Sequence, residues 1–424
     1  MEENINIEEN IEMQEKSPNV VFVENFANQL DKEQKRLTSE PSETAAARKI
    51  RDIIASANSD FKARLEPFYA RPLLGRRCYF FMAVWLLICD IIYFLSFQKN
   101  PTAAIVLTLF AFVLFGVGMG ILLAMFSGVD KFNFLLPKKA CYNVETEFTT
   151  PYKYNLKSTD NTEPSQTIVI CANHDSLPGT YFENNDIFKK ISLFYSPIFM
   201  VIFMLFCLIK MGTGIDTTGK IVALSLIPGL LSIFALFIFA TQYSLFAAHT
   251  RENNCLGSSV ALAVFASLYG MRNHLPENTR FVYASFGGEN SGHAGSKAFV
   301  DRHIARDKNF TKAKVVCIDE IRSGSLLLAK SDLLRKAKYS EEMIKAVQKA
   351  SEDLNIDIGE EKDIINNHHG HIATAFDNQK IEAISILGAE PTTKNDEMIT
   401  TKTIQNLFDL TMQTIQNILI KDNN

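Results

Sequence analysis

The sequence predicts an α/β fold, with a mostly parallel or mixed central sheet flanked by helices, joined to four transmembrane helices in two hairpins. Three observations carry that expectation. Short β-branched runs, TIVICA (167–172), RFVYASF (280–286) and AKVVCI (313–318), alternate with helical patterns, as in a parallel sheet covered on both faces. Each run ends in a polar cluster, at 173–176, 287–290 and 319–320, and open α/β sheets place their chemistry beyond the carboxyl ends of the strands. Four apolar stretches, Cys78–Phe97, Thr102–Phe126, Ile191–Ile209 and Ile221–Ala247, each approach the roughly 20 residues a helix needs to cross the hydrocarbon.

With 424 residues, 47% of them apolar, the chain can bury a full α/β core and more. Its formal charge of -4 offers no basic face for nucleic acid, which is not an expected partner. The expected partners are the membrane lipid bilayer and, for the polar domain, a peptide or protein. The apolar stretches pair across short turns at 98–101 and 210–220, so 1–77, 127–190 and 248–424 fall on one side. Lys62, Arg64, Arg71, Arg76, Arg77, Lys131, Lys138, Lys139, Lys189, Lys190 and Arg251 flank that side, against Lys99, Lys210 and Lys220 on the other. The positive-inside rule then gives an integral membrane protein with its soluble domain in the cytoplasm. Cysteines stand at 78, 89, 141, 171, 207, 255 and 317, an odd set that defines no disulfide framework.

In chain order, residues 1–32 read as a disordered acidic tail without a signal-peptide profile. Residues 33–77 open the soluble domain, with Ser42 or Thr44 as candidate N-cap before an Ala-rich helix. The first hairpin fills 78–126. The domain resumes over 127–190, where 143–158 supplies strands and Thr167–Ala172 an inner strand. After the second hairpin, 191–247, the remainder of the domain occupies 248–424. There Gly257–Tyr269 reads as a helix of small and apolar residues, and 329–349 as an amphipathic, Lys-rich helix. Ile381–Leu387 reads as a late strand and 398–420 as a long C-terminal helix.

Five short motifs then appear in a fixed order: Asn173-His174-Asp175-Ser176, Asn253-Asn254-Cys255-Leu256-Gly257, GENSGHAGS over 288–296, Asp319 in VVCIDE, and Thr392-Thr393-Lys394-Asn395-Asp396. Together with RLTSEPSETAAARKI (36–50), they resemble the M28-type zinc aminopeptidases, the co-catalytic two-zinc exopeptidase fold. The resemblance covers roughly 33–77, 141–186 and 248–420, and implies a three-layer peptidase fold. It implies that Glu289 holds the general-base position and Asp175 the position that orients a ligand. Asp319 is then the one ligand position that keeps its residue type. The other four ligand positions carry Asn173, Asn253, Asn290 and Thr392, where that family has His, a bridging Asp, Glu and His.

These substitutions decide the expected chemistry. Zinc takes anionic oxygens and neutral imidazoles at about 2.0–2.2 Å. An amide offers one weak neutral oxygen and cannot bridge two ions as a carboxylate does. Without a metal to lower the pKa of water from about 15.7 toward 7, Glu289 has little to deprotonate. The expectation is a membrane-anchored, peptidase-like protein without hydrolytic activity, which binds or scaffolds and needs no cofactor. The alternative is an active, metal-dependent aminopeptidase with a rearranged zinc site. His174, His369 and His371 are its alternative ligands, the last two from NNHHGHIATAF (366–376).

Overall fold

The computed structural model describes residues 16–31, 36–71, 74–95, 101–126, 137–151, 164–176, 255–321, 323–332, 336–361, 370–389 and 399–421, with scattered positions between 198 and 238. The chain divides into two units. One comprises Met1–Pro72, Lys138–Leu177 and Glu252–Asn424, the other Leu73–Pro137 and Pro178–Arg251.

The first unit is built on an eight-stranded sheet in the order β1-β2-β4-β3-β5-β10-β6-β9. Its centre is β4 (Thr279–Phe286), β3 (Gln166–Asn173), β5 (Lys314–Ile318) and β10 (Glu382–Gly388), all mutually parallel. β1 (Arg64–Ala70) and β2 (Lys139–Thr149) extend one edge antiparallel. The short β6 (Leu326–Ala329) and β9 (Ile358–Glu360) extend the other. The mixed α/β expectation holds.

Alternation explains why the central strands read as unbroken apolar runs. Ile168, Ile170, Phe281, Tyr283, Val316, Ile318, Ile384 and Ile386 bury on one face. Val169, Cys171, Val282, Ala284, Val315, Cys317 and Ala383 bury on the other. A sheet covered on both sides leaves no position for polar alternation. The first face is covered by α1 (Pro18–Asp31), α2 (Pro41–Ala57), α5 (Leu256–Gly270), α7 (Glu341–Leu354) and α9 (Thr401–Lys421). The second lies under α6 (Ala294–Arg306) and the short α8 (Ala373–Asp377). The small residues of α5 let it lie close on the strands. A Cβ at Gly257 would come within 2.8 Å of the Ile318 carbonyl oxygen, so this contact requires glycine.

Several boundaries differ from the sequence reading. Pro18–Asp31 is helical where a tail was expected, because Val20, Val23, Phe26 and Leu30 form one buried stripe, each side chain contributing about 1.5–3 kcal/mol. Helix α2 begins at Pro41 with Glu40 as N-cap, not Ser42 or Thr44, since proline suits the first helical position. The Lys-rich helix starts only at Glu341, where the Ser340 hydroxyl caps the Met343 N–H. The residues before it include β6, β7 (Ser331–Asp332) and β8 (Ala337–Lys338).

The second unit contains α3 (Leu74–Leu95) and α4 (Pro101–Phe126), which pack on each other. Trp85 on α3 donates its indole N–H to the Leu114 carbonyl of α4 at 3.1 Å. Both helices also turn apolar side chains outward, among them Phe81, Ile91, Val106, Phe110 and Val113. Among the described residues, however, no helix is long and apolar enough to cross a membrane. That corrects the expectation of four transmembrane helices and, with it, of an integral membrane protein. Most of the third and fourth apolar stretches, 191–209 and 221–247, lies outside the described residues.

Candidate functional site

The register of the central strands brings three strand ends to one edge. Asn173 pairs with Phe286, and Ala172 with Ile318, so Asn173, Gly287 and Asp319 leave the sheet side by side. Beyond them the chain turns sharply. Gly288 and Gly292 adopt φ of 63° and 81°, and His293 follows at 56°.

Asp175 is fully buried behind this edge. Its Oδ2 accepts from the Asn290 backbone N–H at 3.0 Å and from Thr38 Oγ1 at 3.1 Å. Its Oδ1 accepts from Asn173 Nδ2 at 3.3 Å. Burial pushes its carboxyl up to about 7, the Asn290 N–H opposes that rise, and the nearby charge of Glu289 adds to it.

Glu289 is buried and turned back on its own loop. Oε1 accepts the Ser296 N–H at 2.6 Å, and Oε2 accepts the Ser296 hydroxyl at 2.9 Å. His293 Nδ1 lies 3.0 Å from Oε2. Both oxygens are therefore engaged by the loop and by the first turn of α6. The neighbouring Asn290 side chain is different: its Nδ2 is buried and finds no hydrogen-bond partner among the described residues.

Asp319 meets His371 and Glu361. Asp319 Oδ1 accepts the Ile372 N–H at 3.3 Å. His371 presents Nδ1 to Asp319 Oδ2 at 3.7 Å and Nε2 to Glu361 Oε2 at 2.7 Å. Only the second is short enough for a hydrogen bond. Burial works against a charge on His371, yet the two carboxylates outweigh it and hold the imidazole up at about 9. His371 thus supplies a fixed positive charge between two acids.

His174 points the other way, into the fold. Its Nδ1 lies 3.0 Å from Ser285 Oγ, which lies 2.8 Å from Ser258 Oγ, which donates to the Asn173 carbonyl at 3.0 Å. A carbonyl can only accept, so the Ser258 proton goes to Asn173, the Ser285 proton to Ser258, and His174 donates from Nδ1. That order leaves Nε2 a bare lone pair. It is buried and without a partner among the described residues, and burial, with the Arg36 charge, pushes the imidazole down to about 3.

Two residues outside the motif list complete the site. Arg36 donates from Nε to the His174 carbonyl at 3.1 Å and from Nη1 to the Leu30 carbonyl at 3.0 Å. Glu43, from the first turn of α2, accepts the Gly288 N–H at Oε1 at 2.9 Å and the Ser39 N–H at Oε2. Both lie within RLTSEPSETAAARKI, so the opening-helix pattern was their only signal. Glu361 had none. Of the remaining sequence-predicted residues, Asn253, His369 and Thr392 lie outside the described residues.

No protein-family model and no curated protein matches the chain. Among solved structures it is similar to a zinc aminopeptidase from Bacillus subtilis, at 11% identity and a TM-score of 0.46, with 96% of each chain covered. In a second structure of that enzyme the score is 0.35 at 13% identity, and the chain covers 52% of its length. An aminopeptidase from Aneurinibacillus sp. strain AM-1 gives 13% identity and 0.45, with 93% of each chain covered. A glutaminyl cyclase from an Acidobacteriales bacterium gives 10% and 0.48, with 95% of each chain covered. The structural neighbours are thus zinc exopeptidases and glutaminyl cyclases at low identity. At these scores the likeness decides nothing about activity.

Whether zinc suits this site is a question for its own donors. Among the described residues, no three His, Cys, Asp or Glu side chains converge to hold a metal ion. Asn173 and Asn290 are amides, and Glu289 spends both oxygens on Ser296 and His293. The described residues do not fit a two-zinc centre.

Proposed function

We infer that this chain is a peptidase-fold binding or scaffolding protein rather than a zinc hydrolase. The observation that carries the reading is how each remaining acid is used. Asp175 is held by Asn290, Thr38 and Asn173, Glu289 by Ser296 and His293, and Asp319 faces His371. Uncompensated buried carboxylates cost several kcal/mol. Internal donors and one imidazolium offset that cost here without a metal, so the cluster of acids is stable as a protein-only structure. Its ligand under this reading is a peptide or protein segment, gripped at the strand ends.

A second reading, an active aminopeptidase with a rearranged metal site, has one observation in its favour. Among the described residues, Asp319 Oδ2 and His174 Nε2 are buried without hydrogen-bond partners. The two readings separate on metal content. The purified chain, incubated with zinc and desalted, is measured by elemental mass spectrometry beside Asp319→Ala. Near-zero metal in both supports the binding reading. One or two zinc ions held tightly and lost in Asp319→Ala overturn it, and aminopeptidase assays with Glu289→Gln then test the base.

A further inference from the structure

A loop that leaves a strand end carries backbone groups that need partners, and at this edge they find them in the connector between α1 and α2. The His174 carbonyl accepts from Arg36 Nε at 3.1 Å, and the Ser176 N–H donates back to the Arg36 carbonyl at 2.7 Å. Asp175 is thus tied to Arg36 from both sides. Buried Thr38 donates from Oγ1 to Asp175 Oδ2 at 3.1 Å, and the same oxygen accepts the Asn290 N–H at 3.0 Å. A second tie to the turn after β4 runs through Glu43, which accepts the Ser39 and Gly288 N–H groups. Two loops from different strands, 174–176 and 288–290, therefore share one partner segment, residues 36–43. The other end of that segment is α1. Arg36, 3% exposed, also donates from Nη1 to the Leu30 carbonyl at 3.0 Å, in the last turn of α1, where carbonyls lack intrahelical partners and a cation suits the helix dipole. One planar guanidinium thus bonds the end of α1 and the site loop at once, which the point charge of a lysine does not reproduce. α1 itself is seated on α5 and α9 by a single apolar stripe, Val20, Val23, Phe26 and Leu30.

We propose that residues 36–43 are a clasp that couples the docking of α1 to both loops of the candidate site, with α1 as its strap. Seated, α1 holds Arg36 against the His174 carbonyl, and the 174–176 loop and the Gly288 turn keep one arrangement. Lifted, it withdraws Arg36, and the two loops loosen together. The third strand end supplies the contrast: the Asp319 N–H donates to the Ile386 carbonyl at 2.8 Å, a bond that involves no connector residue. The coupling is reciprocal, so a ligand that orders the loops holds α1 down by the same factor by which seated α1 favours the ligand. The clasp acts on the loops themselves and stands whether the edge grips a peptide or a metal.

The test is hydrogen exchange of the full chain, read at the Ser176, Asn290 and Asp319 amides, since exchange reports local opening as well as global unfolding. Arg36→Met keeps much of the apolar stem and removes the donors. It is expected to speed exchange at Ser176 and Asn290 by roughly tenfold or more, the scale of losing hydrogen bonds to a charged group, with Asp319 unchanged. Phe26→Leu, which loosens α1 more than 10 residues from either loop in the chain, is expected to speed the same two amides and again spare Asp319. Val347→Ala, a buried change on α7, is the control for lost stability and should move all three alike or none. Combined with Arg36→Met, Phe26→Leu should add nothing further at Ser176 and Asn290, because the clasp is already open. Ser176 and Asn290 unmoved by Phe26→Leu, Asp319 rising in step with them, or full additivity of the two changes overturns the proposal. Should Arg36→Met not fold, Thr38→Val and Thr38→Ser take its place. Thr38→Val should speed exchange at Asn290 and Thr38→Ser, which keeps the hydroxyl, should restore it; equal exchange in the two variants overturns the clasp.

Discussion

Ser285 is the middle member of the relay from His174 to the Asn173 carbonyl, and its hydroxyl is fully buried. Ser285→Ala removes one oxygen and opens no sizeable cavity, so the change reports on hydrogen bonding. Two losses add. The His174 Nδ1–H becomes an orphan donor, which costs about 1–3 kcal/mol, and the bond to Ser258 disappears, worth about 1 kcal/mol. The expected destabilisation is therefore about 2–4 kcal/mol in urea unfolding followed by circular dichroism, with an unchanged denaturant slope. Ser258→Ala should cost less, because it leaves His174 bonded to Ser285. The double variant should fall short of the sum by about 1 kcal/mol, since the Ser258–Ser285 bond is then counted twice. A loss below about 0.5 kcal/mol for Ser285→Ala, or strict additivity, would refute the proton order and with it the bare lone pair on His174.

Other outcomes follow from the same contacts. His371→Ala leaves Asp319 and Glu361 facing each other without their cation, and is expected to cost about 3–5 kcal/mol in the same unfolding assay. Gly257→Ala drives a methyl group against the Ile318 carbonyl, and a loss of more than about 1 kcal/mol is expected where α5 must move off the sheet. Glu145 has its carboxyl held below the ordinary 4.5: burial opposes this, but His303, hydrogen-bonded at 3.0 Å, and Arg302 and Arg306 outweigh it. Its contribution is therefore present above 4.5 and lost as pH falls through its lowered value. Glu145→Gln should lower the neutral-pH melting temperature and weaken the acid limb of the stability curve, and an unaltered acid limb counts against the pairing.

The central strands were legible in the sequence because burial on both faces turned TIVICA, RFVYASF and KVVCI into continuous apolar runs. Their polar ends marked the edge where Asn173, Gly287 and Asp319 emerge. Other elements left weaker traces. α1 hides a single apolar stripe in a polar stretch, and β6 to β9 have two to four residues each, too few for any periodicity to register. The four apolar stretches announced hydrophobicity, but a run of apolar letters does not fix what a helix does with them, and among the described residues no helix is long and apolar enough to cross a membrane.

By itself the sequence determined the mixed α/β core, the strand ends and the residue types at them, because side-chain chemistry and short-range periodicity are written locally. Partnership is not. Glu361 meets His371 and Glu43 meets Gly288 across long separations in the chain, and the proton on His174 is placed by serines from α5 and β4. Only the tertiary structure decided that the acids at this edge face amides, hydroxyls and an imidazole. A carboxylate's behaviour depends on the few donors and charges within hydrogen-bonding reach, and folding alone chooses them.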